Sequence, residues 1–254
     1  MSIKLITARI ENFKSLGDIE LNFRDLTIIV GANSSGKSNC LEALHFLGLI
    51  LFNPTLPPAS VMPMLVKNSG QNIILKIAVE DDKNKAEYSL SIGLNQKNTK
   101  TLIASEQLLI NEKKVIDIVN GKGEVWDEDG GNNQKYQSDP ESLEGLALRS
   151  AGNFGNKPFT KKLASYIREW EFYNIDPKAI RNTTLEYYFS MEWNTDDYPS
   201  LDSEVSQVQE VLSYLAINDE DKFQQVNQEL QECLKIELIP LNEEEFVIVL
   251  EEDG

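Results

Sequence analysis

The sequence predicts a mixed α/β fold: a strand–turn–helix lobe, then an antiparallel β-subdomain and a helical insertion. Three observations predict it. The apolar run Leu26 to Val30 leads into a glycine- and serine-rich turn, after which Leu41, Leu44, Leu47 and Leu51 recur at spacings of three and four. The segments NIILKIAVE (72–80) and KAEYSLSIGL (85–94) alternate apolar and polar residues on either side of EDDKNK. The stretches 203–215 and 219–234 return to helical apolar spacing. A length of 254 residues with 41% hydrophobic and 26% charged side chains suits one large domain or two small ones, each able to bury a core.

Taken in order, Ile3 to Ile10 and Gly17 to Phe23 alternate at period two and are expected to pair as antiparallel strands joined by the turn ENFKSLG. Leu26 to Val30 is expected as a strand buried on both faces, because a continuous apolar run has no polar side to turn to water. Ser38 to Leu51 is expected as a helix stopped by PTLPP (54–58), since proline cannot donate to the helix ladder. Asn72 to Glu80 and Lys85 to Leu94 form the expected hairpin, with further strands at Thr101 to Ile110 and Val115 to Val119. From Trp126 to Asn156 the composition turns to Gly, Asn, Asp and Ser and predicts exposed loops. Phe159 to Trp170 is expected as helix and Glu171 to Ile175 as a strand stopped by Asp176-Pro177, while Thr184 to Trp193 fits neither period. Ser203 to Leu215 and Asp219 to Leu234 are expected helices, the second capped by Asp219 with Phe223, Val226, Leu230 and Leu234 on one face. Ile236 to Leu241 and Glu245 to Glu251 make an expected terminal hairpin. The expected organisation is therefore a lobe with N-terminal strands (1–60), an antiparallel β-subdomain (61–125), a loop-rich segment (126–157), a helical insertion (158–235) and a terminal β-hairpin (236–254).

The formal net charge is −17, yet residues 1–60 hold five basic and five acidic side chains while residues 201–254 hold two and fifteen. A field of that sign repels polyanions, so any phosphate site has to be built locally, in the near-neutral N-terminal part. Two cysteines, Cys40 and Cys233, are too few for a disulfide framework and predict reduced thiols and a cytoplasmic setting. The N-terminus MSIKLITARIENF carries charge throughout and has no signal-peptide core. The apolar run from Leu44 to Phe52 is far short of the ~20 residues a membrane span needs, so no membrane partner is expected.

Gly31-Ala32-Asn33-Ser34-Ser35-Gly36-Lys37-Ser38 matches G-x-x-x-x-G-K-[ST], the phosphate-binding loop pattern. Small residues let such a loop wrap so that its backbone N–H groups face the α- and β-phosphates, and the helix that follows offers its positive end. Lys37 is placed to reach the β- and γ-phosphate oxygens, and the Ser38 hydroxyl to ligate Mg²⁺. At average residue frequencies the pattern arises by chance in roughly one such chain in a hundred, and an apolar run before it with a helix after it lowers that further. The sequence therefore predicts ATP with Mg²⁺ as cofactors.

Over residues 1–48, ARIENFKSLGDIELNF followed by LTIIVGANSSGKSNCLEALHFLG resembles the N-terminal lobe of ABC-class ATPases of the RecF, SMC and OLD type, often described as AAA family or predicted ATPases. The later REWEFYNIDPKAIRN resembles the middle of the predicted-ATPase branch. The resemblance implies an ABC-ATPase-like P-loop NTPase lobe in which the NFKS turn packs near the nucleotide. Lys14 and Ser15 then become candidate contacts, with a solvated turn as the alternative. Asn33 would lie beside the γ-phosphate, and Asn39 would join the loop residues that hold the cofactor. It also implies Mg-ATP hydrolysis coupled to dimerisation, with a homodimer mate or partner subunit completing the site. DNA or a nuclease would be the further partner, in DNA repair or anti-phage defence.

Hydrolysis needs an acidic residue to place Mg²⁺ and a group to orient water. In the resembled family these come from a Walker B strand, an LSGG-like signature and a switch histidine. The sequence holds no L-S-G-G or L-S-D-G string, and its one histidine, His45, sits within the P-loop helix. ILKIAVEDD ends in Glu80, Asp81 and Asp82 but turns into a partner strand, so these read as a solvated turn. FVIVLEE (246–252) imitates Walker B better, yet the strand before it predicts an antiparallel hairpin. Gln107 is considered as a Q-loop glutamine against an ordinary strand residue. The expectation is an N-terminal portion of such an ATPase, with the C-terminal half of the ATPase core absent from it. A regulatory module that binds ATP without turnover is the alternative. A kinase or GTPase is disfavoured, because neither an arginine-rich lid nor an N-K-x-D string is present.

Overall fold

The computed structural model describes residues 3–53, 55–141, 146–150, 155–175, 201–205, 207–234, 236–240 and 246–250. The chain divides into two compact units, Met1–Trp170 and Glu171–Gly254. It is a mixed α/β protein, and its first unit is organised by one antiparallel sheet.

β1 (Lys4–Phe13) and β2 (Leu16–Asn22) pair antiparallel, and the register Phe13↔Leu16 leaves only Lys14 and Ser15 in the turn, tighter than the seven-residue ENFKSLG suggested. α1 (Lys37–Phe52) and the short α2 (Met62–Leu65) follow. The strands β3 (Ile73–Glu80), β4 (Lys85–Leu94), β5 (Thr101–Ile110), β6 (Lys113–Val119), β7 (Lys122–Trp126) and β8 (Asn133–Gln137) extend the same sheet. The strand order is β2-β1-β3-β4-β5-β6-β7-β8, so the N-terminal strands and the antiparallel subdomain are continuous. β8 lies in the stretch expected as loop, held to β7 with Gly123 opposite Tyr136. Gly123 carries no side chain because a Cβ there would stand 2.0 Å from the Asp117 carbonyl oxygen.

One face of the sheet is apolar. Ala8, Ile10, Leu75, Ile77, Val79, Tyr88, Leu90 and Leu108 are buried, as are Leu44, Leu47, Ile50 and Leu51 on α1, which packs against β1 and β3. Fully burying each of these larger side chains is worth roughly 1.5–3 kcal/mol, which fixes the helix on the sheet. The rings of Phe13 and Phe46 lie 5.6 Å apart and pin the β1–β2 turn to α1. The opposite face carries ion pairs such as Arg9 with Asp18, whose two bonds measure 2.9 and 2.7 Å.

α3 (Ala147–Ser150) and α4 (Pro158–Arg168) complete the first unit. α4 has no side-chain cap of its own. Glu128, from the loop after β7, accepts the backbone N–H groups of Phe159 (3.0 Å) and Thr160 (2.6 Å) instead. Beside it Asp127 and Lys157 form a buried pair at 3.3 Å.

Two expected strands are corrected. Leu26 to Val30 belongs to neither sheet, and Leu26, Ile28 and Val30 are 77%, 73% and 83% exposed, not buried. Among the described residues no strand lies alongside it, and burial of an apolar run needs neighbours that the run itself cannot supply. Glu171 to Ile175 likewise forms no strand; Asn174 donates to the Ser203 carbonyl instead of a ladder (2.7 Å).

The second unit holds α5 (Val208–Asn218), α6 (Glu220–Leu234) and the hairpin β9 (Ile236–Pro240) with β10 (Phe246–Leu250), paired as Val247↔Ile239. Asp219 caps α6 by accepting the Lys222 N–H at 3.3 Å, and Phe223 is buried. Thr184 to Trp193 and the acidic pair Glu251-Glu252 lie outside the described residues. Among those described, no helix is long and apolar enough to cross a membrane.

Candidate functional site

The glycine-rich loop runs from Gly31 to Gly36 and feeds directly into α1, with Gly31 to Ser35 exposed. Gly36 is the N-cap residue at φ 93°, a backbone region that glycine enters without strain. It has a second reason to be glycine, because a Cβ there would stand 2.9 Å from Leu16 Cδ2 and 3.0 Å from Ser15 Oγ. Ser34, at φ 62°, makes the other left-handed bend. α1 has no side-chain cap and no acidic residue in its first turn, so the N–H groups at its start are free to meet an anion.

The β1–β2 turn closes over this loop. Asn12 and Lys14 both take positive φ, 59° and 49°. The buried Asn12 amide donates to the carbonyls of Asn68 (3.2 Å) and Gln71 (3.0 Å), and its oxygen accepts the Asn68 N–H at 2.7 Å. Lys14 N–H donates to the Leu65 carbonyl at 2.7 Å, and Phe13 bridges to Val66. The turn is thus clamped between α1 and residues 65–72, which is how Ser15 comes to lie against Gly36.

The structure brings Lys14, Ser15, Gly36, Lys37 and Asn39 together. Asn39 Nδ2 donates to Ser15 Oγ at 2.7 Å. Lys37 Nζ folds back and donates to the carbonyls of Gly31 (2.9 Å) and Ala32 (2.7 Å). Lys14 Nζ is bonded to Glu42 Oε2 on α1. Ser38 is exposed in the first turn of α1 and can offer its hydroxyl to a cation. Ala32, Asn33, Ser34 and Ser35 form the exposed rim. Cys40 is buried behind the loop with its thiol on the Gly36 carbonyl, and burial pushes its pKa up, away from reactivity.

Other sequence candidates lie elsewhere. Gln107 donates to Asp117 at 2.9 Å on the open face of the sheet. Asp81 organises the β3–β4 turn by accepting the N–H groups of Lys83 and Asn84, and it pairs with Lys162 of α4 at 2.9 Å. The Lys162 hydrogen bond leads those that lower its pKa to about 2. His45 is exposed on α1. Among the described residues no group of three or more His, Cys, Asp or Glu could hold a metal ion. Asn12 and Glu42 were not singled out from sequence. The signal for Glu42 was its place four residues after Ser38, on the same helix face.

The AAA domain family model AAA_23 matches residues 8–236, most of the chain. The DNA replication and repair protein RecF of Lactococcus lactis subsp. cremoris (strain MG1363) is 34% identical over 96 residues, covering 37% of this chain and 25% of that protein. RecF of Natranaerobius thermophilus is 30% identical over 99 residues, covering 39% and 24%. The match thus spans about a quarter of the length of these curated relatives. Among solved structures, RecF with ATPγS from the RecFOR pathway matches with TM-score 0.32 and 18% identity, covering 94% of this chain and 60% of that one. RecF with ATP matches with TM-score 0.28 and 24% identity, covering 45% and 28%. By the extent of the domain match, the chain belongs to the AAA domain family AAA_23.

Proposed function

We propose that this chain is the nucleotide-binding lobe of a RecF-like ATPase and takes Mg-ATP at Gly31–Ser38. The carrying observation is the glycine-rich loop delivered to the uncapped start of α1 with Lys37 folded into it. On binding, Lys37 would exchange the Gly31 and Ala32 carbonyls for phosphate oxygens, a stronger, charge-assisted partner. Backbone N–H groups of the loop would hold the α- and β-phosphates, with Asn33 beside the γ-phosphate. The Ser38 hydroxyl would hold Mg²⁺, which supplies charge neutralisation on the phosphates. Lys14, Ser15 and Asn39 would border the site from the clamped turn.

For the whole protein we infer hydrolysis coupled to dimerisation, with a second subunit completing the site. The RecF relatives support work on DNA repair or maintenance, and anti-phage defence with a nuclease partner is the other setting. The second reading is ATP binding without turnover by this chain alone. Calorimetric titration with Mg-ATP and a phosphate-release assay test both. Binding is expected for the chain and loss of at least tenfold in affinity for Lys37→Ala, which removes a charge-assisted contact worth roughly 1.5–3 kcal/mol. Equal binding by the two would sink the assignment of the site.

A further inference from the structure

Lys14, Lys37 and Asn39, beside the phosphate loop, are each engaged with a neighbour, and one engagement differs in kind. Lys37 rests on two neutral carbonyls and Asn39 on a neutral hydroxyl. Lys14 rests on a carboxylate, that of Glu42. Lys14 belongs to the turn that packs on Gly36, and Glu42 lies one helical turn beyond Ser38, so this ion pair stands at the edge of the space a triphosphate would enter. Both partners are partly open to solvent, at 32% and 47% side-chain exposure, so an arriving polyanion can compete for the ammonium.

We propose that Glu42 acts as an internal competitor for Lys14, occupying in the nucleotide-free protein the cation that a triphosphate recruits, and so sets the affinity and phosphate-number preference of the site. The inference rests on the nucleotide-binding reading above. Two effects act in one direction. The pair must part before Lys14 can turn to phosphate, and the freed carboxylate then stands near like charge. A partly exposed pair is worth up to about 1 kcal/mol, so removing the carboxylate is expected to tighten Mg-ATP binding about fivefold.

The test is titration of wild type, Glu42→Gln, Lys14→Ala and the double variant with Mg-ATP, Mg-ADP and adenosine, with Lys37→Ala as the non-binding control. Tighter Mg-ATP binding by Glu42→Gln, a smaller gain for Mg-ADP and none for adenosine are expected. In the Lys14→Ala background the gain should fall below about twofold, because the competition then has no cation to act on. A merely structural Glu42 would shift the melting temperature without changing the ATP-to-adenosine ratio. Glu42→Ala, which keeps helix propensity, should reproduce the sign if the glutamine variant folds poorly. If wild type binds Mg-ATP and Glu42→Gln binds it equally or more weakly, the competitor role is overturned while the site stands. If wild type binds no better than Lys37→Ala, the site assignment fails and takes this inference with it.

Discussion

Glu106 is a buried carboxyl whose chemistry departs far from its ordinary state. Its side chain is 1% exposed on β5, where it accepts the N–H groups of Ala147 (2.7 Å) and Leu148 (2.8 Å) and the Tyr88 hydroxyl (3.1 Å). Burial raises its pKa to about 7, and the three hydrogen bonds only moderate that. It therefore anchors the start of α3 to the sheet, and Arg149 of α3 in turn donates to the Asn53 carbonyl at the end of α1 (2.8 Å). The sign of the pH dependence follows from the raised value. The folded protein holds the proton more tightly than the unfolded chain, so this contribution is complete below the ordinary value of 4.5 and is lost as pH rises through about 7. The loss amounts to about 3 kcal/mol, since each pKa unit is worth about 1.4 kcal/mol. Asp81 acts in another window, because its stabilisation fades only as pH falls towards about 2. The melting temperature is expected to fall between pH 5 and pH 8 in the wild type and to change much less in Glu106→Gln. An equally steep fall in the variant would remove Glu106 as the cause.

At the scale of elements, what was legible and what was not divide on locality. The hairpin of β3 and β4 was legible because period-two alternation states which side of a strand faces the core, and Ile73, Leu75, Ile77 and Val79 are indeed buried. The P-loop helix was legible because its leucines carry their own period, and the loop because its glycines and Lys37 fall at a fixed spacing. β8 was not, because NQKYQ is held by its register with β7 and not by its own composition. Glu106 stayed hidden for a related reason: it falls in phase with buried Leu108 and Ile110, and its partners come from elsewhere, the Tyr88 hydroxyl on β4 and two N–H groups of α3, more than forty positions on. Leu26–Val30 failed in the opposite direction, since an apolar run announces burial whether or not a neighbour is present. Its exposure carries a consequence. An exposed apolar segment that lies in neither sheet can pair with another chain. The protein is expected to self-associate as its concentration rises, and Ile28→Lys, placing charge on that segment, to shift the equilibrium towards monomer with little change in melting temperature. Sedimentation at several concentrations checks this, and unchanged association in Ile28→Lys would place the contact elsewhere.

At the scale of the molecule, the division into two units coincides with the division of charge. Residues 1–170 hold twenty basic and twenty acidic side chains, while residues 171–254 hold four and twenty-one, so the net −17 belongs entirely to the second unit. The first unit contains its own sheet, its buried face, the clamped turn and every loop residue from Gly31 to Ser38. It is therefore expected to fold alone, with one cooperative thermal transition, and to retain the proposed nucleotide site. The second unit adds all of the net negative charge to a chain whose first unit holds the proposed polyanion site, and net charge of that sign disfavours a polyanionic ligand. Residues 1–170 alone should then bind Mg-ATP more tightly than the whole chain at low salt. The gap should close as ionic strength rises from about 0.01 to 0.15 M, where the Debye length shrinks from ~30 Å to ~8 Å. Adenosine, which carries no charge, should show no gap at either salt. A fragment that folds yet binds Mg-ATP more weakly than the whole chain would mean that the second unit contributes directly to nucleotide binding and that its charge is not what governs affinity.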